Sequence, residues 1–102
     1  MPATPSVSST IPATGATSYP VGSGIVINFS VAMEEDITNS YIDIDPYVWY
    51  EANWNSTSKQ VVLTPNANLT SGTVYTATVY LEVESGDGVN MSADHTFSFT
   101  TV

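Results

Sequence analysis

The stretch Leu69-Thr70-Ser71-Gly72-Thr73-Val74-Tyr75-Thr76 decides how this chain is read. A tyrosine just inside a strand, shortly after a glycine turn, can bury its ring and send its hydroxyl back to the upstream backbone, pinning one sheet to another. Beyond it Ala77, Val79 and Leu81 alternate with Thr76, Thr78 and Tyr80, and Phe97 and Phe99 alternate near the C-terminus. A two-residue period places alternate side chains on one face of a strand. The spacing therefore predicts a long strand from Thr73 to Glu84, a loop from Ser85 to Asp94, and a closing strand from His95 to Thr101.

Working outward, Gly22-Ser-Gly24 turns into Ile25-Val-Ile27-Asn-Phe29, whose odd positions form a strongly apolar face. Residues 2–20 are rich in Pro, Ser, Thr and Ala, with Val7 and Ile11 as anchors before Tyr19, and read as a linker entering one edge strand. Glu34-Glu-Asp36 reads as an acidic turn or short helical crossing. In Tyr41 to Asp45, Ile42 and Ile44 face one way and Asp43 and Asp45 the other. In Tyr47 to Trp54 the core face is Val48, Tyr50, Ala52 and Trp54, which leaves Tyr47 and Trp49 pointing outward. Asn55 to Ser58 reads as a hairpin connection and Gln60 to Thr64 as its returning strand. About seven strands at this spacing, with no helix-period stretch, predict an all-β, immunoglobulin-like antiparallel β-sandwich with Greek-key connections. Its expected core is Ile25, Ile27, Phe29, Val61, Leu63, Leu69, Tyr75, Val79, Phe97 and Phe99.

With 102 residues, 42 % hydrophobic, and a mean hydropathy of +0.05, the chain suits one domain able to bury its own core. We read residues 1–102 as that domain, with 1–6 as linker, and as a piece of a larger tandem-repeat protein. Its 14 Thr and 13 Ser give polarity without charge, which suits the outer faces of pleated strands. Ten carboxylates stand against Lys59 alone, for a formal charge of −9. That balance argues against nucleic acid, which is held through several Lys and Arg, and against anionic membranes. No cysteine is present, no apolar run approaches the ~18 residues of a spanning helix, and Met1-Pro2 lacks the regions of a signal peptide.

Candidate chemistry is sparse. His95 is the only histidine, its neighbour Asp94 tends to face the opposite way on a strand, and no Gly-x-Ser-x-Gly elbow accompanies it. The same-face pairs Asp43/Asp45 and Glu82/Glu84 read as solubilising charges rather than a glycosidase pair. Glu84, Asp87, Asn90 and Asp94, or Glu34, Glu35 and Asp36, offer hard oxygen donors to calcium, although a Ca²⁺ ion needs about six to eight of them. Calcium is the one cofactor considered. Tyr47 and Trp49 are the candidate contacts for a sugar or a partner protein. The sequons at Asn28, Asn55, Asn68 and Asn90 are what a chain rich in Asn, Ser and Thr produces by chance; of these Asn55 is the most accessible.

Several ordered motifs together resemble the bacterial Ig-like domains of surface-layer proteins and large adhesins, the SbsA type. They are Pro5-Ser-Val7 through Gly15-Ala16, Pro20 through Met33, Val61-Val-Leu-Thr-Pro65, Leu69 through Ala77, and Phe97 through Thr101. Two features depart from the pattern: Gly88 and Asn90 are separated by Val89, and Tyr47-Val-Trp-Tyr50 is unusually aromatic. The resemblance implies a non-catalytic spacer module, secreted or at a prokaryotic cell surface. Its expected partners are neighbouring Ig-like repeats or other domains of the same chain, with a surface glycan or protein as the alternative ligand.

Overall fold

The computed structural model describes residues 3–102. Eight strands form two four-stranded sheets: β1 (Val7–Ile11), β3 (Ile25–Phe29), β6 (Gln60–Pro65) and β5 (Tyr50–Trp54) in one, and β2 (Ala16–Tyr19), β8 (His95–Thr101), β7 (Val74–Val79) and β4 (Ile42–Asp45) in the other. Only β5–β6 and β7–β8 are consecutive strands paired within a sheet; every other connection crosses between layers. One short helix, α1 (Glu35–Asn39), lies on the β3-to-β4 crossing. Glu34 caps it by accepting from the Asp36 N–H, and Glu35 and Asp36 place negative charge on its first turn, where the helix dipole favours it.

Alternation builds the core. Ile25, Ile27, Val61, Leu63, Ala77 and Val79 have no exposed surface, and Phe29, Phe97 and Phe99 almost none. A fully buried Val, Leu, Ile or Phe contributes about 1.5–3 kcal/mol by leaving water, so facing pairs from the two layers hold the sandwich shut. Phe29 stacks on Trp54 at 5.9 Å, and Phe99 on Tyr75 at 5.8 Å. Gly24, just before β3, lies close against β6, since an added Cβ would lie 3.2 Å from the Val62 side chain and 3.3 Å from the Leu63 carbonyl.

Three expectations are corrected. The first edge strand is two strands in opposite sheets, and β2 runs parallel to β8 while all other pairs are antiparallel. Ile11 is 54 % exposed, whereas Pro12 and Pro5 are buried, so the prolines anchor this segment. Of the residues read as linker, 1 and 2 lie outside the described residues, and Ser6 pairs with Ser30 through both its N–H and its carbonyl.

The third correction concerns β7, which ends at Val79 rather than Glu84. There the Tyr80 N–H bonds to the Tyr41 carbonyl, the Leu81 N–H to Asp94 Oδ1 at 2.8 Å, and the chain turns so that Val83 re-enters the core fully buried. Leu81, in phase with the buried Ala77 and Val79 by sequence, is 40 % exposed. Val83 and Met91 close this end of the sandwich.

Register fixes the direction of the whole module. β1 begins opposite Phe29, the last residue of β3, and Thr100, next to the end of β8, pairs with Val74, the first of β7. The chain thus enters at one end and leaves at the other, along a body of 44 × 22 × 18 Å.

Candidate functional site

Two crossings between the layers meet at the C-terminal end. The first, Asn66 to Thr73, joins β6 to β7 and holds the corner. The Thr70 N–H donates to Tyr75 Oη at 2.8 Å, and Leu69, 5 % exposed, fills the space beneath while its N–H bonds to the Val21 carbonyl. Gly72 takes φ +63°, the left-handed region that glycine adopts without strain. Thr101, which the sequence reading did not single out, is 3 % exposed and locks the corner to β8. Its Oγ1 donates to the Thr70 carbonyl at 2.6 Å and accepts from the Thr73 N–H at 3.0 Å.

The second crossing, Pro46 to Trp49, joins β4 to β5. Its backbone is tied to the corner by the Asn66 N–H on the Trp49 carbonyl, 2.9 Å, and Tyr50 Oη donates to the Ile42 carbonyl at 3.1 Å. Burial, then Asp43 and Tyr47 nearby, push the Tyr50 hydroxyl above its ordinary pKa of 10.0. Tyr47 and Trp49 are 72 % and 70 % exposed and meet edge to face, with centroids 6.2 Å apart and planes at 81°. Between the two crossings runs an open groove of about 610 Å³, lined among others by Tyr47, Trp49, Asn66, Asn68, Thr70 and Tyr75.

Four of the calcium candidates, Asn90, Asp94, Glu34 and Glu35, make hydrogen bonds within the protein. Asn90 Nδ2 donates to the Glu82 and Val83 carbonyls, and Asp94 Oδ1 accepts from Leu81. The 85–89 turn closes on its own Ser85 hydroxyl, which accepts from the Asp87 and Val89 N–H groups. Glu34 caps α1 and Glu35 accepts from the Ser58 hydroxyl at 2.8 Å. Among the described residues, no three acidic or histidine side chains converge on one point. Asp43 and Asp45 are exposed on β4 as expected, but Glu82 and Glu84 lie beyond the end of β7 and share no strand face. His95 sits beside Phe97, and the carboxylate next to it, Asp94, is held by Leu81. The Asn55 side chain is exposed yet braces its hairpin, its Oδ1 accepting from Thr57 Oγ1 and from the Lys59 and Gln60 N–H groups.

Charge is concentrated at one end, although Asp43 shares a cleft with Tyr47 and Trp49 toward the other. Of the ten carboxylates, Glu34, Glu35, Asp36, Glu82, Glu84, Asp87 and Asp94 surround the N-terminal end, and none lines the groove at the other.

Two facing sheets, a tyrosine corner and a second strand, β2, parallel to the last define an immunoglobulin-like sandwich module. The bacterial Ig-like domain family matches residues 2–101, and the chain belongs to that family. Among solved structures, the methionine-rich copper resistance protein PcoC from Escherichia coli is similar over 98 % of this chain and 100 % of its own, at 16 % identity and TM-score 0.71. The N-terminal part of the bacterial S-layer protein SbsC is similar over 97 % of this chain and 24 % of its own, at 14 % identity and TM-score 0.69. L,D-transpeptidase 3 from Mycobacterium tuberculosis is similar over 94 % and 37 %, at 16 % identity and TM-score 0.61. At these identities the likeness is one of fold. No curated protein matches the chain.

Proposed function

We propose that this domain is a tension-bearing spacer within a larger secreted or cell-surface protein, joined end to end to neighbouring domains. The observation that carries this reading is the pairing of the chain's two ends. β1 enters at one end of the sandwich and β8 leaves at the other, and β2 lies parallel to β8, joined through Gly15 N–H to the Ser98 carbonyl at 2.7 Å and Val102 N–H to the Tyr19 carbonyl at 3.1 Å. Tension applied at the two ends pulls β1 along β3 and β2 along β8. Each ladder is then loaded in shear, so its hydrogen bonds share the force and fail together rather than one at a time. Tyr19 adds packing at the same seam, edge-on to Phe99 at 5.3 Å. Family membership and the likeness to a surface-layer protein support the extracellular setting.

Single-molecule stretching tests the reading, because forced unfolding reports the barrier along the pulled direction. Pulling between residues 3 and 102 is expected to need markedly more force than pulling between residues 74 and 101, which peels β7 from β8 at one end. Equal forces in the two geometries would overturn it. Labelling of intact cells that fails to reach the parent protein would overturn the surface setting alone.

A further inference from the structure

The groove between the two crossings has the chemistry of a saccharide site, and we propose that it binds a neutral glycan chain, with Trp49 and Tyr47 as the stacking surface and Asn66, Asn68 and Thr70 as the hydrogen-bonding edge. This goes beyond the spacer reading and does not depend on it.

The rings come first. Tyr47 and Trp49 leave 72 % and 70 % of their surface in water, although exposed apolar area costs about 25 cal/mol per Å². The fold gains little from them, since Val48 and Tyr50 on the alternate face make the inward contacts of this segment. Adjacent large aromatics kept in water mark an interaction surface, and their rigid, amphipathic rings supply contact area at low entropic cost. Set at 81°, the pair forms an L, a floor and a wall, able to take the C–H face of a sugar ring against one plane while the other borders it.

The polar edge narrows the ligand. Asn28, Asn39, Asn55 and Asn90 spend their side chains on bonds within the protein, and Asn53 is exposed on β5 outside the groove. Asn66 and Asn68 are exposed on the groove and, among the described residues, their amides make no internal hydrogen bond. A carboxamide both donates and accepts in one plane, which matches the paired hydroxyls of a sugar. Asn66, Asn68 and Thr70 thus set polar groups beside an apolar floor to which Val48, Ala67 and Leu69 also contribute.

Charge and size complete the choice. No charged side chain lines the groove, so an anionic polymer finds no cation there and meets the field of a chain with net charge −9. Cationic ligands are drawn to the acidic N-terminal end instead. The same net charge opposes a second copy as occupant. A volume of about 610 Å³ falls within the roughly 300–1,000 Å³ of small-molecule sites, enough for a few sugar units of a chain that passes through the open sides.

The test is affinity electrophoresis of the purified domain through gels containing soluble β-glucan, mannan or xylan, with polygalacturonate as the anionic control. Retardation by at least one neutral polymer and none by polygalacturonate is expected. Trp49→Ala should weaken it at least tenfold and Asn68→Ala severalfold, both without change in melting temperature, and the corresponding neutral oligosaccharide should quench wild-type fluorescence but not that of Trp49→Ala. No retardation by any neutral polymer, undiminished retardation of Trp49→Ala, or equal retardation by polygalacturonate would overturn the proposal. So would a dimer in sedimentation that Trp49→Ala dissolves, since the groove would then be a contact between copies.

Discussion

Two segments cross between the sheets at the same end of the molecule, and their aromatic residues behave oppositely. In the 66–73 corner the aromatic is turned inward: Tyr75 is 4 % exposed and its hydroxyl receives the Thr70 N–H. In the 46–49 crossing Tyr47 and Trp49 stand in water, and the inward duty falls to Tyr50, whose hydroxyl donates to Ile42. One crossing closes the fold. The other carries two large side chains the fold does not need, and so is free to serve recognition. The difference lies in position along the strand: Tyr75 falls on the inward phase of β7, Tyr47 and Trp49 on the outward phase leading into β5.

The largest effect should come from hollowing the corner. Leu69→Ala removes a buried side chain and is expected to cost about 3 kcal/mol, measured by urea unfolding; a loss below that of an ordinary surface change would mean the corner can collapse without consequence. Tyr75→Phe keeps the ring and removes only the acceptor of the Thr70 N–H. It should cost about 1 kcal/mol, and unchanged stability would show that this hydroxyl does not pin the sheets.

The second crossing should reveal itself through alkali. Tyr50, and Tyr19 by burial, have hydroxyls raised above 10.0, so the unfolded chain releases those protons before the folded one does. Their contribution is complete below pH 10 and is lost as pH climbs through the folded values. The melting temperature should therefore fall as pH rises above 10, and Tyr50→Phe should flatten that slope; an identical slope in the variant would remove Tyr50 from the account. The smallest effect belongs to Trp49→Ala, expected to alter stability by no more than about 0.5 kcal/mol. A cost as large as that of Tyr75→Phe would erase the contrast between the crossings.

Much of this was legible beforehand. The alternation of Ile25, Ile27 and Phe29, of Ile42 and Ile44, and of Phe97 and Phe99 matches the buried positions. The outward setting of Tyr47 and Trp49 followed from the same period, because a strand with one buried face leaves no choice about the other. What misled was alternation without a strand: Val79, Leu81 and Val83 keep the two-residue rhythm, yet the chain turns at Tyr80 because Asp94, thirteen residues on from Leu81, captures the Leu81 N–H. Nothing local to residues 79–83 announces that bond. The division of the first segment into β1 and β2 was equally hidden, since Val7 packs on the core as expected while Ile11 is exposed and the neighbouring Pro12 is buried in its place.

By itself the sequence determined the layers, because periodic burial is a local property of successive residues and the cost of putting an apolar face in water is the same wherever the strand lies. Only the tertiary structure decided the parallel seam of β2 on β8, the gathering of seven acids at one end, and the groove between Trp49 and Asn68 at the other. Those depend on which distant segments become neighbours, and that is set by how both sheets pack at once rather than by any stretch of chain alone.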